Sequence, residues 1–175
     1  MNGVYAGSFD PVTHGHVWVI SKAAEVVGPN GQLIIALAKN ADKKSYFTFE
    51  ERVELIEQVL ASTLPVNLFN RCAIAEVGNE YLVKFAERQS ANFIFRGIRN
   101  VKDFDYEVGI QQVNRDLCPN IETIFFLPPA EMAGISSSIV RGMVGFDGWQ
   151  RAVAKYVHPI VVQALEKKVC KDSNS

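Results

Sequence analysis

Short apolar runs of strand length alternate with amphipathic stretches of helix length along almost the whole chain, and few architectures satisfy that alternation. The runs "GVYAG", "QLIIALA", "ANFIFRG" and "IETIFFL" hold too few polar residues to leave one face in water. Each therefore reads as a strand buried on both sides. A helical pattern runs from about His14 to Val27, with Val17, Ile20, Ala24 and Val27 along one face. Thr48, with Glu51 three residues on, announces a second helix through a capping box at the head of "TFEERVELIEQVLAS". "LPVNLFNRCAIAEV" reads as one or two strands around a break and "NEYLVKFAERQ" as a helix. Further helices are expected from about Asp103 to Leu117, after Ser136 and after Pro159. The order β-α-β-α-β-α-β-α-β predicts an α/β fold: a Rossmann-like, doubly wound sheet of about five parallel strands with helices on both faces. With 175 residues, 48% of them hydrophobic, a single domain over 1–175 is expected, its tail loose from about residue 168.

Charge and cysteine usage narrow the functional classes. A formal net charge of -1 gives no global basic field, which argues against sequence-independent nucleic-acid binding. Cys72, Cys118 and Cys170 are far apart with no CxxC pair, so they suggest neither a disulfide framework nor a cysteine zinc site. The apolar runs are too short for a membrane span, and the N-terminus lacks a basic start with an apolar core. A cytoplasmic protein, with no membrane partner, is expected.

In doubly wound sheets ligands sit outside the carboxyl ends of the strands, so polar residues directly after each strand rank first. "AGSFDPVTHGH" follows the first strand: Gly7 permits a tight turn, Pro11 stiffens it, and Thr13 or His14 starts the helix. Gly15 keeps that first turn open to a phosphate, and the His16 ring can donate to one. The string lacks both the P-loop and the GxGxxG spacing, and read alone it also fits capping residues and solvated histidines. Lys39, Lys43 and Lys44 follow the second strand, where a solvated charge run is equally natural. "FRGIRNVKDFDYE" places Arg96 and Arg99 on either side of Gly97, a pair suited to forked bonding to phosphate oxygens. Ser136, Ser137 and Ser138 head a helix with Arg141 one turn on, resembling a phosphate or ribose cradle. Each corner has an ordinary explanation, but accident at four ligand-facing corners is a poor account of them together.

With these residues in view, the sequence resembles bacterial phosphopantetheine adenylyltransferase, of the nucleotidyltransferase superfamily marked by T/HxGH. The likeness runs from about Val4 to about Leu165. It is anchored on "Y-x-G-S-F-D-P-x-T-x-G-H", "K-K-x-x-F-T-x-E-E-R", "R-G-I-R-x-V-x-D-F-x-Y-E", Asn114 with Arg115, and "I-S-S-S". The resemblance implies joining of ATP to 4'-phosphopantetheine, giving dephospho-coenzyme A and pyrophosphate by in-line attack on the α-phosphate. It implies catalytic roles for His16, Lys43, Arg99 and Ser8. ATP would be held by Gly7, Ser8, Phe9, His16, Arg96, Gly97, Arg99, Glu107, Ile135, Ser136, Ser137 and Ser138. The acceptor would meet Ser8, Lys43, Tyr81, Leu82, Arg96, Ile110 and Asn114. Mg²⁺ is expected to travel with ATP, since no dense carboxylate or histidine cluster reads as a protein metal cage. Coenzyme A is implied as a feedback ligand, and a homohexamer built as a dimer of trimers as the assembly, with Phe69 or Phe125 as candidate interface residues.

The chain departs from that pattern at named positions. Ser8 stands where threonine is common, His14 where asparagine is, Ser45 where proline is, and Tyr81 where a smaller aliphatic is. "EMAGISSS" lacks an aromatic residue before the isoleucine. Two other functions share parts of the pattern. One is a nucleotidyltransferase acting on glycerol phosphate or a pyridine mononucleotide, and the other a nucleotide or coenzyme A sensor without turnover.

Overall fold

The computed structural model describes residues 1–38, 45–134 and 136–172. Its strands are β1 (Gly3–Gly7), β2 (Leu33–Ala38), β3 (Cys72–Val77), β4 (Phe93–Gly97) and β5 (Glu122–Phe126). The helices are α1 (His14–Val26), α2 (Phe49–Thr63), α3 (Val66–Phe69), α4 (Leu82–Arg88), α5 (Val101–Leu117), α6 (Ala130–Ala133), α7 (Ser137–Met143), α8 (Trp149–Val153) and α9 (Pro159–Asp172). The strands form one sheet in the order β3-β2-β1-β4-β5, and every neighbouring pair is parallel. The chain winds outward from β1 to β3, then returns to the other side of β1. The strand order thus reverses between β1 and β4, the crevice where such sheets bind ligands.

Alternation along the strands divides the core between the two faces. Tyr5, Leu33, Ile35, Leu37 and Phe95 pack with side chains of α1, α2 and α9. Val4, Ile34, Ala36 and Ile94 point the other way, against Val83, Phe85 and Ala86 of α4. Helix α5 is different: its buried residues are Glu107 and Asn114, while Val101, Phe104, Val108, Val113 and Leu117 are exposed.

Thr13 and Thr48 cap α1 and α2, each in a reciprocal capping box. The segment read as one or two strands is a single strand, β3, preceded by the helical turn α3. Leu68 is buried on the core there, and the Pro65 carbonyl accepts from the amides of Leu68 and Phe69. Helix α5 begins two residues before the expected Asp103, because the Asn100 side chain caps it by accepting the Asp103 amide at 3.0 Å. Residues 173–175 lie outside the described part of the tail. Before them α9 continues to Asp172, with Lys168 paired to Glu51 at 2.7 Å. Among the described residues no helix is long and apolar enough to cross a membrane.

Candidate active site

The carboxyl ends of β1 and β4 open into a cavity of about 430 Å³. Its walls include the β1–α1 turn, the first turns of α1, α5 and α7, and Met132 of α6. Ser8, His16, Arg96, Gly97, Arg99, Glu107 and the three serines from Ser136 to Ser138 all line it. Corners 40 to 130 residues apart in sequence are therefore one site, as the strand-end rule requires. Lys43 and Ile135, together with Lys39 and Lys44, lie outside the described residues.

The histidine is held in a defined orientation. Its Nδ1 accepts the backbone N–H of Thr13 at 3.1 Å and lies 3.0 Å from the Thr13 hydroxyl. An Nδ1 that accepts an amide carries no proton, so the neutral ring bears its hydrogen on Nε2. Burial, with the nearby Arg99 charge adding to it, lowers the His16 pKa to about 4. The ring edge is packed against Phe9 at a centroid distance of 5.0 Å. His16 is thus a neutral, oriented donor near pH 7.

Phe9 and Gly7 serve this arrangement from inside the core. Phe9 is fully buried and adopts φ +46°, a left-handed conformation uncommon for a residue with a side chain. A Cβ on Gly7 would meet the Phe9 ring at 3.1 Å, so Gly7 makes room for that ring. The Phe9 ring does not line the cavity, nor does Gly7, and both support the turn that does. Gly15 does line it, and a Cβ there would come within 2.9 Å of the Met132 carbonyl oxygen. In this first turn His14 donates its amide to the Tyr156 carbonyl at 2.9 Å, and His16 donates to the Thr13 hydroxyl. The Gly15 N–H has no acceptor among the described residues and remains for a ligand at the positive end of α1.

The two arginines are not loose clamps. Arg96 forks onto both carboxylate oxygens of the buried Glu107, its Nε at 2.8 Å from Oε2, and its Nη1 reaches the Ala6 carbonyl at 3.4 Å. Arg99 holds Asp103 through Nε at 2.9 Å. Each guanidinium is oriented by a carboxylate of α5 before any ligand arrives. With Lys102 also lining the cavity, cationic residues outnumber Asp103 and Glu107 by one, leaving an excess positive charge for an anion.

The serines divide their work. Ser136 caps α7 by accepting the Ile139 amide at 3.3 Å. Ser137 is buried and donates to the Pro11 carbonyl at 2.8 Å. Ser138 accepts from Arg141 at 3.2 Å. Arg141, grouped with them in the sequence as part of a phosphate cradle, instead donates to the Asp10 carbonyl and lies 3.6 Å from its carboxylate. That carboxylate in turn accepts the amides of Tyr46 and Phe47, each at 2.9 Å. Asp10 and Arg141 therefore brace the site by joining the β1–α1 turn to α7 and to the segment before α2.

The residues expected to meet a pantetheine arm lie outside this cavity. Tyr81 is exposed at the head of α4, and Leu82 packs against the α4-side core. Ile110 and Asn114 follow Glu107 at helical spacing on α5, so one face continues from the cavity for roughly 10 Å along the axis. Tyr5, Lys102, Tyr106 and Met132 line the cavity and were not singled out by sequence reasoning. Tyr5 read as core, and burial indeed raises its pKa well above the usual phenol value. Lys102 and Tyr106 fall inside the arginine-rich motif, which was the available signal.

The cytidylyltransferase-like family model matches residues 4–143. A phosphopantetheine adenylyltransferase of Chromobacterium violaceum is 41% identical over 154 residues, 88% of this chain and 88% of its own length. Another, from Neisseria meningitidis serogroup C, is 38% identical over 162 residues, 93% of this chain and 90% of its own. Among solved structures, the Plasmodium falciparum nicotinic acid mononucleotide adenylyltransferase complexed with NaAD superposes with a TM-score of 0.67 at 17% identity. That match covers 95% of this chain and 94% of its own, and is a likeness of fold.

Proposed function

Because the chain belongs to the cytidylyltransferase-like family and, within it, to the phosphopantetheine adenylyltransferases, we propose that its cavity joins ATP to 4'-phosphopantetheine. The products are dephospho-coenzyme A and pyrophosphate, the penultimate step of coenzyme A synthesis. The observation that carries this reading is the convergence of the oriented His16, the Arg96 and Arg99 forks and the free amide at the α1 N-terminus in one cavity.

In the reaction an acceptor phosphate oxygen attacks the α-phosphorus of ATP in line, and the bond to the β-phosphate oxygen breaks. The acceptor phosphate is already ionised, so a strong base is unnecessary; alignment and charge stabilisation do the catalysis. His16 donates from Nε2–H to a phosphate oxygen, and its lowered pKa keeps that donor neutral throughout the physiological range. Ser8 offers its hydroxyl to the acceptor phosphate, and Lys43 adds positive charge near the reacting centre. Arg96, Gly97, Arg99 and Glu107 hold the nucleotide with the Ser136–Ser138 helix end; Phe9 takes part through its backbone N–H, and Ile135 is a further nucleotide contact by family resemblance. The acceptor's arm follows the α5 face from Glu107 past Ile110 to Asn114, with Tyr81 and Leu82 across from it.

ATP enters as its magnesium complex. The cavity's own carboxylates, Asp103 and Glu107, are occupied by Arg99 and Arg96, which suits a metal delivered on the substrate. Coenzyme A carries the same pantetheine arm and competes for the track as a feedback ligand. By family resemblance the assembly is a homohexamer, a dimer of trimers, acting in the cytoplasm; the exposed apolar side chains of α5 support only that copies meet one another. Light scattering at micromolar concentration checks the assembly, and a monomer would refute it.

The test of function is mass-detected turnover with ATP, Mg²⁺ and 4'-phosphopantetheine, beside nicotinic acid mononucleotide and glycerol phosphate as decoy acceptors. Dephospho-coenzyme A and pyrophosphate in equal amounts, lost in His16→Ala, are expected. Product from a decoy alone would reassign the acceptor, and ATP binding without product would make the chain a sensor.

A further inference from the structure

A buried cation stands beside this site with no counter-charge among the described residues. Arg52, in the first turn of α2, is 4% exposed. Its Nη1 donates to the Ser8 carbonyl at 2.8 Å and reaches the Ala38 carbonyl at 3.4 Å. Its Nε has no hydrogen-bond partner among the described residues, and the Phe49 ring lies 5.9 Å from its Cζ. No ion pair reaches Arg52 among the described residues. Burying an ion costs several kcal/mol unless it is paired, and a guanidinium cannot shed its proton to escape that cost. Such a group is retained where its charge or its fork performs a task.

Its placement indicates the task. Ser8 directly follows β1 and Ala38 ends β2, so one guanidinium ties together the carboxyl ends of two neighbouring strands at the site. The peptide between Ser8 and Phe9 is planar, so holding the Ser8 carbonyl toward Arg52 sends the Phe9 N–H the opposite way. That N–H has no acceptor among the described residues. The same tether fixes Ser8, whose side chain lines the cavity, and it acts where Phe9 adopts φ +46°.

We propose that Arg52 is a positioning residue for adenylyl transfer. It holds the Ser8–Phe9 peptide in the orientation that receives a phosphate. This inference rests on the adenylyltransferase reading, and its test separates the two.

Arg52→Met and Arg52→Lys are compared with wild type in steady-state turnover and urea melts, and inorganic pyrophosphate binding is measured by calorimetry. The Met variant is expected to lose about 30-fold in kcat per folded site, with KM for ATP raised no more than about tenfold. The Lys variant, keeping charge without the fork, should recover about 5-fold of that loss. Lower stability with kcat and both KM values unchanged would make Arg52 merely structural and overturn the proposal. If the Met variant does not fold, Arg52→Lys decides alone: a kcat loss of about 5-fold or more at intact stability supports it, and unchanged kcat overturns it. If wild type gives no product, the function reading fails by itself. Arg52 is then judged on pyrophosphate affinity, expected to weaken about tenfold in Arg52→Lys, with unchanged affinity overturning the proposal.

Discussion

The backbone N–H of Thr13 donates to Nδ1 of His16 at 3.1 Å, so a helix cap and the orientation of a cavity-lining imidazole are one structure. Thr48 and Glu51 form the equivalent box on α2, away from the cavity. Thr13→Val and Thr48→Ala should each lower stability by about 1 kcal/mol in urea melts. Turnover should fall about tenfold in Thr13→Val alone, because only there does the lost hydroxyl also anchor a reacting-site ring. Equal kcat in both variants would separate the cap from the chemistry.

The lowered pKa of His16 gives a signed prediction for stability. The unfolded state takes up a proton near pH 6.5, whereas the folded ring resists until about pH 4. The unfolded state therefore binds more protons between those values, and stability must fall as pH drops from about 6.5 to about 4. Urea midpoints at pH 7, 6 and 5 should decline more steeply in wild type than in His16→Asn. Parallel declines would assign the loss to other groups.

Arg96 and Glu107 form a fork whose carboxylate is almost wholly buried. Arg96→Ala strands that carboxylate and should cost about 3–5 kcal/mol. Arg96→Ala combined with Glu107→Ala should cost clearly less than the two single losses added together. A double-mutant cycle measures the difference, and simple additivity would mean the two side chains do not act as a pair.

Gly15 leaves space for the Met132 carbonyl, which a Cβ would approach to 2.9 Å. Gly15→Ala should push α6 outward and weaken ATP binding about tenfold by calorimetry, with a stability change under about 1 kcal/mol. Unchanged affinity would show that α6 yields without disturbing the nucleotide.

Much of this arrangement is readable in one dimension. Strands such as Leu33–Ala38 announce themselves because a parallel strand covered on both faces has no polar alternation to blur it. The strand-end rule then finds His16, Arg96, Arg99 and Ser136 to Ser138, since turns concentrate polar residues that bury nothing; Ser8 comes from the resemblance alone. Helix α3 escaped because four residues are too few to display a helical period. Partnership escaped too: Arg96 reads as a free phosphate ligand until the fold brings Glu107 against it from another element. Arg141 likewise reads as part of a cradle, yet its guanidinium turns to Asp10, 131 residues earlier. Tyr5 and Arg52 stand within the quoted motifs, yet their roles stay hidden for opposite reasons. A tyrosine inside an apolar strand looks like core, and an arginine on an amphipathic helix looks like solvated surface.

The bond from the Ser137 hydroxyl to the Pro11 carbonyl spans 126 residues. In synthesis from the N-terminus, the turn through His16 is made more than a hundred residues before the wall that closes over it. A nascent chain that ends at β4 holds the histidine and Arg96 and lacks the α7 brace, the Arg141 tether and the α9 packing. The cavity is thus enclosed only once the segment through α7 has been made, and no shorter N-terminal portion walls it in.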